Sequence, residues 1–190
     1  MTDIVPYKAY GCIADLFRLR EDAVLVDGPA GTGKSRGIGE FINYLCETYP
    51  KIRILVLRAT RSSLTESWMV TFEQKVLTDD HPAHGNRGAR KFKTGYQYPN
   101  GSAIILGGLD APTKLFSTEY DMIYVNEATE ITQSEYESLQ RALRNNQMPW
   151  QGIILDCNPA HPRHWLNQAC LNGRIKRLKS KHTDNPTLDA

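Results

Sequence analysis

Residues 28–35 read Gly28-Pro29-Ala30-Gly31-Thr32-Gly33-Lys34-Ser35, the G-x-x-x-x-G-K-[ST] spacing of a phosphate-binding loop. Glycines accept the positive φ angles of a tight turn, and the turn closes backbone N–H groups on the oxygens of a polyphosphate. Lys34 is expected to reach the β- and γ-phosphates of a nucleoside triphosphate, and the Ser35 hydroxyl to ligate Mg²⁺. Hydrolysing the γ-phosphate takes a positioned water, a metal and charge stabilisation, with little covalent chemistry. Glu127, just past the apolar run Asp121-Met122-Ile123-Tyr124-Val125, is the candidate for orienting that water. The residue before it is Asn126, where many nucleotide-hydrolysing proteins with this loop carry Asp. A neutral amide holds Mg²⁺ less well than a carboxylate, but it can hydrogen-bond a metal-bound water. The third candidate is Asn158, in Asp156-Cys157-Asn158-Pro159. It could donate to the γ-phosphate or the attacking water and report nucleotide state, or simply open an Asn-Pro turn.

These residues need elements that bring them together. Ala23-Val24-Leu25-Val26-Asp27 reads as a short buried strand of the parallel type. After the loop, Ile38, Phe41, Ile42 and Leu45 recur at helical spacing, and Pro50 closes the segment. The N-terminus of that helix adds its positive dipole end to the anion site. Upstream, Cys12, Ile13, Leu16 and Phe17 mark one face of a short helix, and residues 52–57 a second strand. Ser63-Leu64-Thr65-Glu66 predicts a capping box for a helix with the core stripe Leu64, Trp68, Phe72 and Val76. A turn-rich loop over 78–90 leads to the basic group Arg87, Arg90, Lys91 and Lys93. A hairpin follows, Phe92 to Tyr98 and Ala103 to Leu106 around Pro99-Asn100-Gly101-Ser102. After strand 121–125, Thr132 with Glu135 predicts a second capping box. Residues 152–156 form a further strand, a short helix around Trp165 and Leu166 stops near Gly173, and a basic strand or tail ends the chain. Strands alternating with helices mean an α/β fold with a mostly parallel, doubly wound sheet and an inserted β-hairpin. Ligands in such folds sit at the carboxyl ends of the strands, where Asp27, Asn126 and Asp156 fall.

Composition sets the limits. The 190 residues carry 41% hydrophobic and 23% charged side chains with a net charge of +2, suiting one domain, or one and the start of another. No apolar run approaches the ~20 residues of a membrane helix, and the first residues lack the pattern of a signal peptide. The four cysteines (Cys12, Cys46, Cys157 and Cys170) lack C-x-x-C spacing, pointing to a reducing cytosol, a host cell's included. Cys157, His161, His164 and Cys170 match no common zinc spacing, and His81 and His84 read as loop histidines.

Taken in order, the motifs resemble the ATPase domain of a tailed-phage terminase large subunit, the motor that packages DNA into procapsids. The resemblance rests on the GPAGTGKS loop, Leu57 to Leu64, the block Tyr120 to Ile131 containing Asn126-Glu127-Ala128-Thr129-Glu130, Asn158-Pro159 with His164-Trp165, and Thr183-Asp184-Asn185-Pro186. It implies a P-loop ATPase core of the additional-strand, catalytic-glutamate type, with ATP and Mg²⁺, over residues 1–180. The catalytic Glu would lie on the strand beside the phosphate-loop strand. It assigns Glu127 to water activation and Asn158 to coupling hydrolysis to movement. It also implies a homo-oligomeric ring in which one subunit's Arg completes its neighbour's site, with Arg58, Arg61, Arg141 and Arg144 as candidates. Double-stranded DNA, the portal and the small terminase subunit are the implied partners, in the host cytoplasm. In that family a linker, here beginning at 181–190, and a nuclease domain come next, so no nuclease activity is expected of this chain.

A packaging motor grips DNA through phosphates, so basic surface matters more than base-reading groups. Arg174, Lys176, Arg177, Lys179 and Lys181 form one such run, and the group from Arg87 to Lys93 a second. Tyr7 or Tyr10 could stack on adenine or pack in the core. Two alternatives stand beside the motor: a helicase-like or PhoH-like cellular ATPase acting on nucleic acid, and a nucleotide-binding switch that does not turn over.

Overall fold

Strand β1 (Ala23–Asp27) is buried along nearly its whole length, which is why its sequence is a continuous apolar run without alternation. The computed structural model describes residues 7–78, 80–85 and 89–185, so Arg87 and Pro186 lie outside the described residues. Helix α1 (Gly11–Arg18) precedes β1 and α2 (Lys34–Thr48) follows the phosphate loop. Next come β2 (Arg53–Arg58), α3 (Arg61–Glu66) and α4 (Trp68–Lys75), then β3 (Gly95–Gln97) and β4 (Ala103–Gly108). The chain continues through α5 (Pro112–Phe116), β5 (Met122–Val125), α6 (Gln133–Gln140), β6 (Gly152–Cys157), α7 (Trp165–Leu171) and β7 (Lys176–Lys179).

These strands make one seven-stranded sheet in the order β3-β4-β2-β5-β6-β1-β7. Every pairing is parallel except β3 with β4. The two cores are the two faces of the sheet. One gathers Ile13, Ile38, Phe41, Leu64, Trp68 and Phe72 from α1 to α4. The other gathers Leu115, Tyr136, Leu139, Leu166 and Ala169 from α5 to α7. Helices on both faces make the sheet doubly wound. Among the described residues, no helix is long and apolar enough to cross a membrane.

The structure corrects the sequence reading in two places, the strand order and the start of one helix. Strand β6 lies between β1 and β5, so Glu127 follows a strand one removed from the phosphate-loop strand and not beside it. The hairpin forms as read, β3 antiparallel to β4, and it joins the main sheet because β4 pairs in parallel with β2. The helix read from Ser63 starts at Arg61, capped by Thr60, whose hydroxyl accepts from the Ser63 N–H. It breaks at Ser67, whose Oγ donates to Ser63 O at 2.7 Å, a local bond that competes with the helical ladder. The stripe itself is core, with Leu64, Trp68, Phe72 and Val76 all buried. The capping box of Thr132 and Glu135 forms as read.

One acidic residue near β5 serves the fold. Asp121 is fully buried and accepts from Arg53 N–H at 2.9 Å, Asn145 Nδ2 at 2.6 Å and Gln147 N–H at 2.7 Å. It ties the amino ends of β2 and β5 to the turn before β6. Asp121→Ala would strand these donors and is expected to cost about 3 kcal/mol of unfolding free energy. Urea denaturation measures this, and a loss under about 1 kcal/mol would refute the role.

Candidate active site

The phosphate loop leaves β1 through Gly28, where there is no room for a side chain: a Cβ would come 2.3 Å from Ser180 O. Gly31 and Gly33 take φ of 82° and 87°, conformations that favour glycine, and the space beside Gly31 is open. Gly33 is the N-cap of α2 and brings no side-chain cap, so the first-turn N–H groups remain for a ligand. Lys34 is buried and curls onto the loop, donating from Nζ to Gly28 O at 2.6 Å, Pro29 O at 2.8 Å and Asn158 Oδ1 at 3.4 Å. A phosphate would compete with neutral acceptors for this ammonium. Thr32 is locked at both ends, donating to Pro29 O at 3.1 Å and meeting Ser180 Oγ at 2.8 Å.

A cleft of about 560 Å³ opens above the loop, with Ser35 and Lys34 on one side and Glu127, Asp156 and Asn158 at the strand ends. Glu127 has a left-handed backbone, φ 56° and ψ 57°. That conformation costs a side-chain-bearing residue on the order of 1 kcal/mol and persists only where neighbours enforce it. The enforcing contact is its N–H, which donates to Asp156 Oδ1 at 3.0 Å. Tyr124 Oη at 3.0 Å and Asn126 Nδ2 at 3.1 Å donate to the same oxygen. Burial, reinforced by the Glu127 charge, pushes the Asp156 carboxyl up to about 6 despite these bonds.

Asn126 itself is buried and does not line the cleft. Its Oδ1 accepts from Ser67 Oγ at 3.3 Å and its Nδ2 donates to Tyr124 Oη at 3.2 Å and to Asp156. Asp156, which the sequence places only at the strand edge, lines the cleft beside Glu127 instead. Asn185, from the Thr183-Asp184-Asn185-Pro186 motif, also lines the cleft, as do Arg36, Thr71 and Lys75, which no sequence motif marks. Thr71 and Lys75 lie four apart on α4, a helical spacing that carried no chemical signal of its own.

The arginine candidates divide. Arg58 makes a two-pronged bond to Glu130, at 2.8 and 2.5 Å. Arg61 donates to Thr65 Oγ1 and to Lys93 O, both at 2.6 Å. Arg144 pairs with Glu119 at 2.9 Å. Arg141 is exposed, but α6 has by then returned to the amino edge of the sheet, where Arg144 N–H donates to Tyr120 O. Of the basic run, Arg174, Lys176 and Lys179 are exposed. Arg177, by contrast, lies 3.7 Å from Asp27 and donates to Asn167 Oδ1, so its charge is turned inward. Arg90 and Lys93 of the second group share Glu73, at 2.6 and 2.8 Å. Arg36 stacks over Tyr7 and Lys8 over Tyr10, each at 5.3 Å from the ring centroid. His161 and His164 accept the N–H groups of Arg163 and Leu166, and no metal-binding cluster exists among the described residues.

The raised Asp156 has a consequence for stability. Between its unfolded value of 3.8 and its folded value of about 6, the native state keeps a proton that the unfolded chain has lost. Stability from this group is therefore greatest below pH 4, falls as pH rises to about 6, and then levels off. Asp156→Asn is expected to remove this slope and to stabilise the ligand-free protein near pH 7 by on the order of 3 kcal/mol. Urea midpoints of both proteins at pH 4 and pH 7.5 test it; a pH-independent difference between them would refute it.

The geometry can be set beside known proteins. A family model described as phage terminase large subunit matches residues 20–189. The large terminase of a thermophilic bacteriophage superposes with a TM-score of 0.70 at 12% identity, covering 94% of this chain and 47% of that one. The ATPase domain of the Thermus phage P74-26 large terminase gives 0.54 at 17% identity, covering 82% and 67%. The UvsW helicase of bacteriophage T4 gives 0.57 at 15% identity, covering 93% and 61%. None of the curated proteins compared matches the chain in sequence. At these identities the structural likeness is one of fold, and the chain spans 47% of the length of the first of these terminases. The family match takes in nearly the whole chain, and the protein belongs to the phage terminase large subunit family.

Proposed function

We propose that this chain hydrolyses ATP to drive double-stranded DNA into a procapsid. The observation that carries the reading is the cleft in which Lys34 and Ser35 face Glu127 and Asp156. In support, the large terminase of the thermophilic bacteriophage has been solved with ATP-γ-S and with ADP. The N–H groups of residues 31–35 and the Lys34 ammonium take the β- and γ-phosphates, Lys34 exchanging Gly28 O and Pro29 O for phosphate oxygens. Glu127, turned toward the cleft by its left-handed backbone, orients the attacking water and takes its proton.

The donor set fits Mg²⁺. Ser35 offers a hydroxyl, and Asp156 offers a carboxyl that burial, reinforced by the Glu127 charge, raises and that a cation would favour in its ionised form. When bound, the metal would neutralise charge on the β- and γ-phosphates. Asn126 acts on that site through Asp156, to which its amide donates. Asn158 accepts from Lys34, so drawing Lys34 onto phosphate breaks a bond to the loop that leads into α7. Hydrolysis is thereby coupled to movement of that loop.

Arg58, Arg61 and Arg144 are bound within the chain, and the cations lining the cleft besides Lys34 are Arg36 and Lys75. A further arginine would come from a neighbouring subunit of a ring, with exposed Arg141 as its donor. Residues up to about 180 form the ATPase domain and the following residues begin a linker. The portal, the small terminase subunit and the host cytoplasm complete the family setting. DNA runs over the β7 edge, on Arg174, Lys176 and Lys179.

Glu127→Gln is expected to lower DNA-stimulated ATP turnover at least 100-fold while ATP-γ-S affinity stays within about threefold. Unchanged turnover would sink the assignment. Stimulation by RNA alone would favour a helicase-like role, which the UvsW fold likeness keeps in view. Replacing Lys176 and Lys179 with Ala should weaken duplex binding and shrink the slope of log affinity against log salt by about 2. An unaltered slope would move the DNA path elsewhere.

A further inference from the structure

The segment that follows β7 is wired to the end of β1 by one contact and to the phosphate loop by two. Ser180 N–H extends the sheet by donating to Asp27 O at 2.8 Å, and Ser180 Oγ meets Thr32 Oγ1 at 2.8 Å. Five residues on, Asn185 Nδ2 donates to Gly31 O at 2.7 Å. The intervening turn is anchored from the other side. Asp184 Oδ2 accepts from Lys181 N–H at 2.9 Å, and its carboxyl fills the place of a side chain at Gly11, the first residue of α1. Cover of this kind over a loop that must receive an anion calls for an explanation.

Peptide geometry supplies one. In a trans peptide the C=O of one residue and the N–H of the next point in opposite directions. A bond that fixes the Gly31 carbonyl therefore fixes the Thr32 N–H. That N–H donates to no acceptor among the described residues, and it is one of the groups a phosphate loop closes on its anion. With φ of 82° and open space beside it, Gly31 has little of its own to hold that peptide plane. We propose that Asn185 is a positioning residue for nucleotide binding, holding the Gly31–Thr32 peptide so that the Thr32 N–H is ready for a phosphate oxygen, with Ser180 fixing the Thr32 side chain. By reciprocity, a phosphate that fixes the same peptide tightens the hold on residues 180–185. Nucleotide state thus reaches the segment after β7 directly, by a route separate from the Lys34–Asn158 bond. This rests on the nucleotide-binding reading above and names a residue that reading does not require.

The test uses the full chain, with ATP-γ-S and ADP titrated by calorimetry. Asn185→Ala is expected to weaken ATP-γ-S binding about tenfold while the melting temperature without nucleotide is unchanged. Asn185→Asp keeps the shape but cannot donate to Gly31 O, and should bind at least as weakly as the alanine variant. Asn185→Gln, which keeps the donor, should recover part of the loss. In the native chain ATP-γ-S should slow amide exchange over residues 181–185, an effect absent from Asn185→Ala. Native-like binding by Asn185→Ala and Asn185→Asp would overturn the positioning role and leave the nucleotide site standing. A native chain that binds neither nucleotide would overturn both.

Discussion

A buried carboxylate must be held by donors, and the arrangement of the strand edge beside the cleft follows from how Asp156 is held. Its Oδ1 collects Tyr124 Oη, Asn126 Nδ2 and the Glu127 N–H within 3.1 Å. All three donors come from β5 or the residues that follow it, while Asp156 itself is on β6. The cluster therefore fastens two neighbouring strand ends at the point where ligands of parallel sheets bind. It also turns Glu127 into a backbone conformation that the residue would not choose alone. Without that bond from its N–H, the strain of the left-handed turn would have little to offset it.

The position of β6 gives the cleft its width. Because β6 separates β1 from β5, the loop leaving β1 and Glu127 after β5 face each other across one strand end. Asp156 and Asn158 stand at that strand end, between the cationic and anionic sides. On the other flank β7 pairs with β1, and Gly28 lets the chain after β7 lie against the loop. The loop is thus contacted by both neighbours of its own strand. Asn158 reaches Lys34 from one side, and Ser180 reaches Thr32 from the other.

Local features of this fold were legible in the sequence; features that depend on distant pairing were not. The run from β1 through the loop to α2 is contiguous, so its spacing alone reveals it. The box of Thr132 and Glu135 read correctly, whereas Ser63-Leu64-Thr65-Glu66 matched the same pattern without capping anything, since Thr60 had already capped that turn. A short pattern does not distinguish a first turn from a second. Strand order was misread for a different reason: nothing local to β5 or β6 says which of them borders β1. The arginines show the same limit. Arg58 and Arg177 look like free charges in a one-dimensional reading, but they meet Glu130 and Asp27 only after folding.

The neutral residue at 126 looked like a defect in the site, and the packing shows why an amide belongs there. Asn126 Nδ2 lies 3.1 Å from an oxygen of Asp156, and its own oxygen accepts from Ser67. An aspartate at 126 would set two carboxylates in contact inside the sheet, and one of them would have to hold a proton to remain there. With the amide, a single carboxylate can stay ionised when a cation arrives, and it still has a donor beside it. A carboxylate beside Glu127 has not been lost from the edge; it sits one strand over, on β6, next to β1. Asn126 and Asp156 are therefore one unit, and the chemistry of either position follows from the pair.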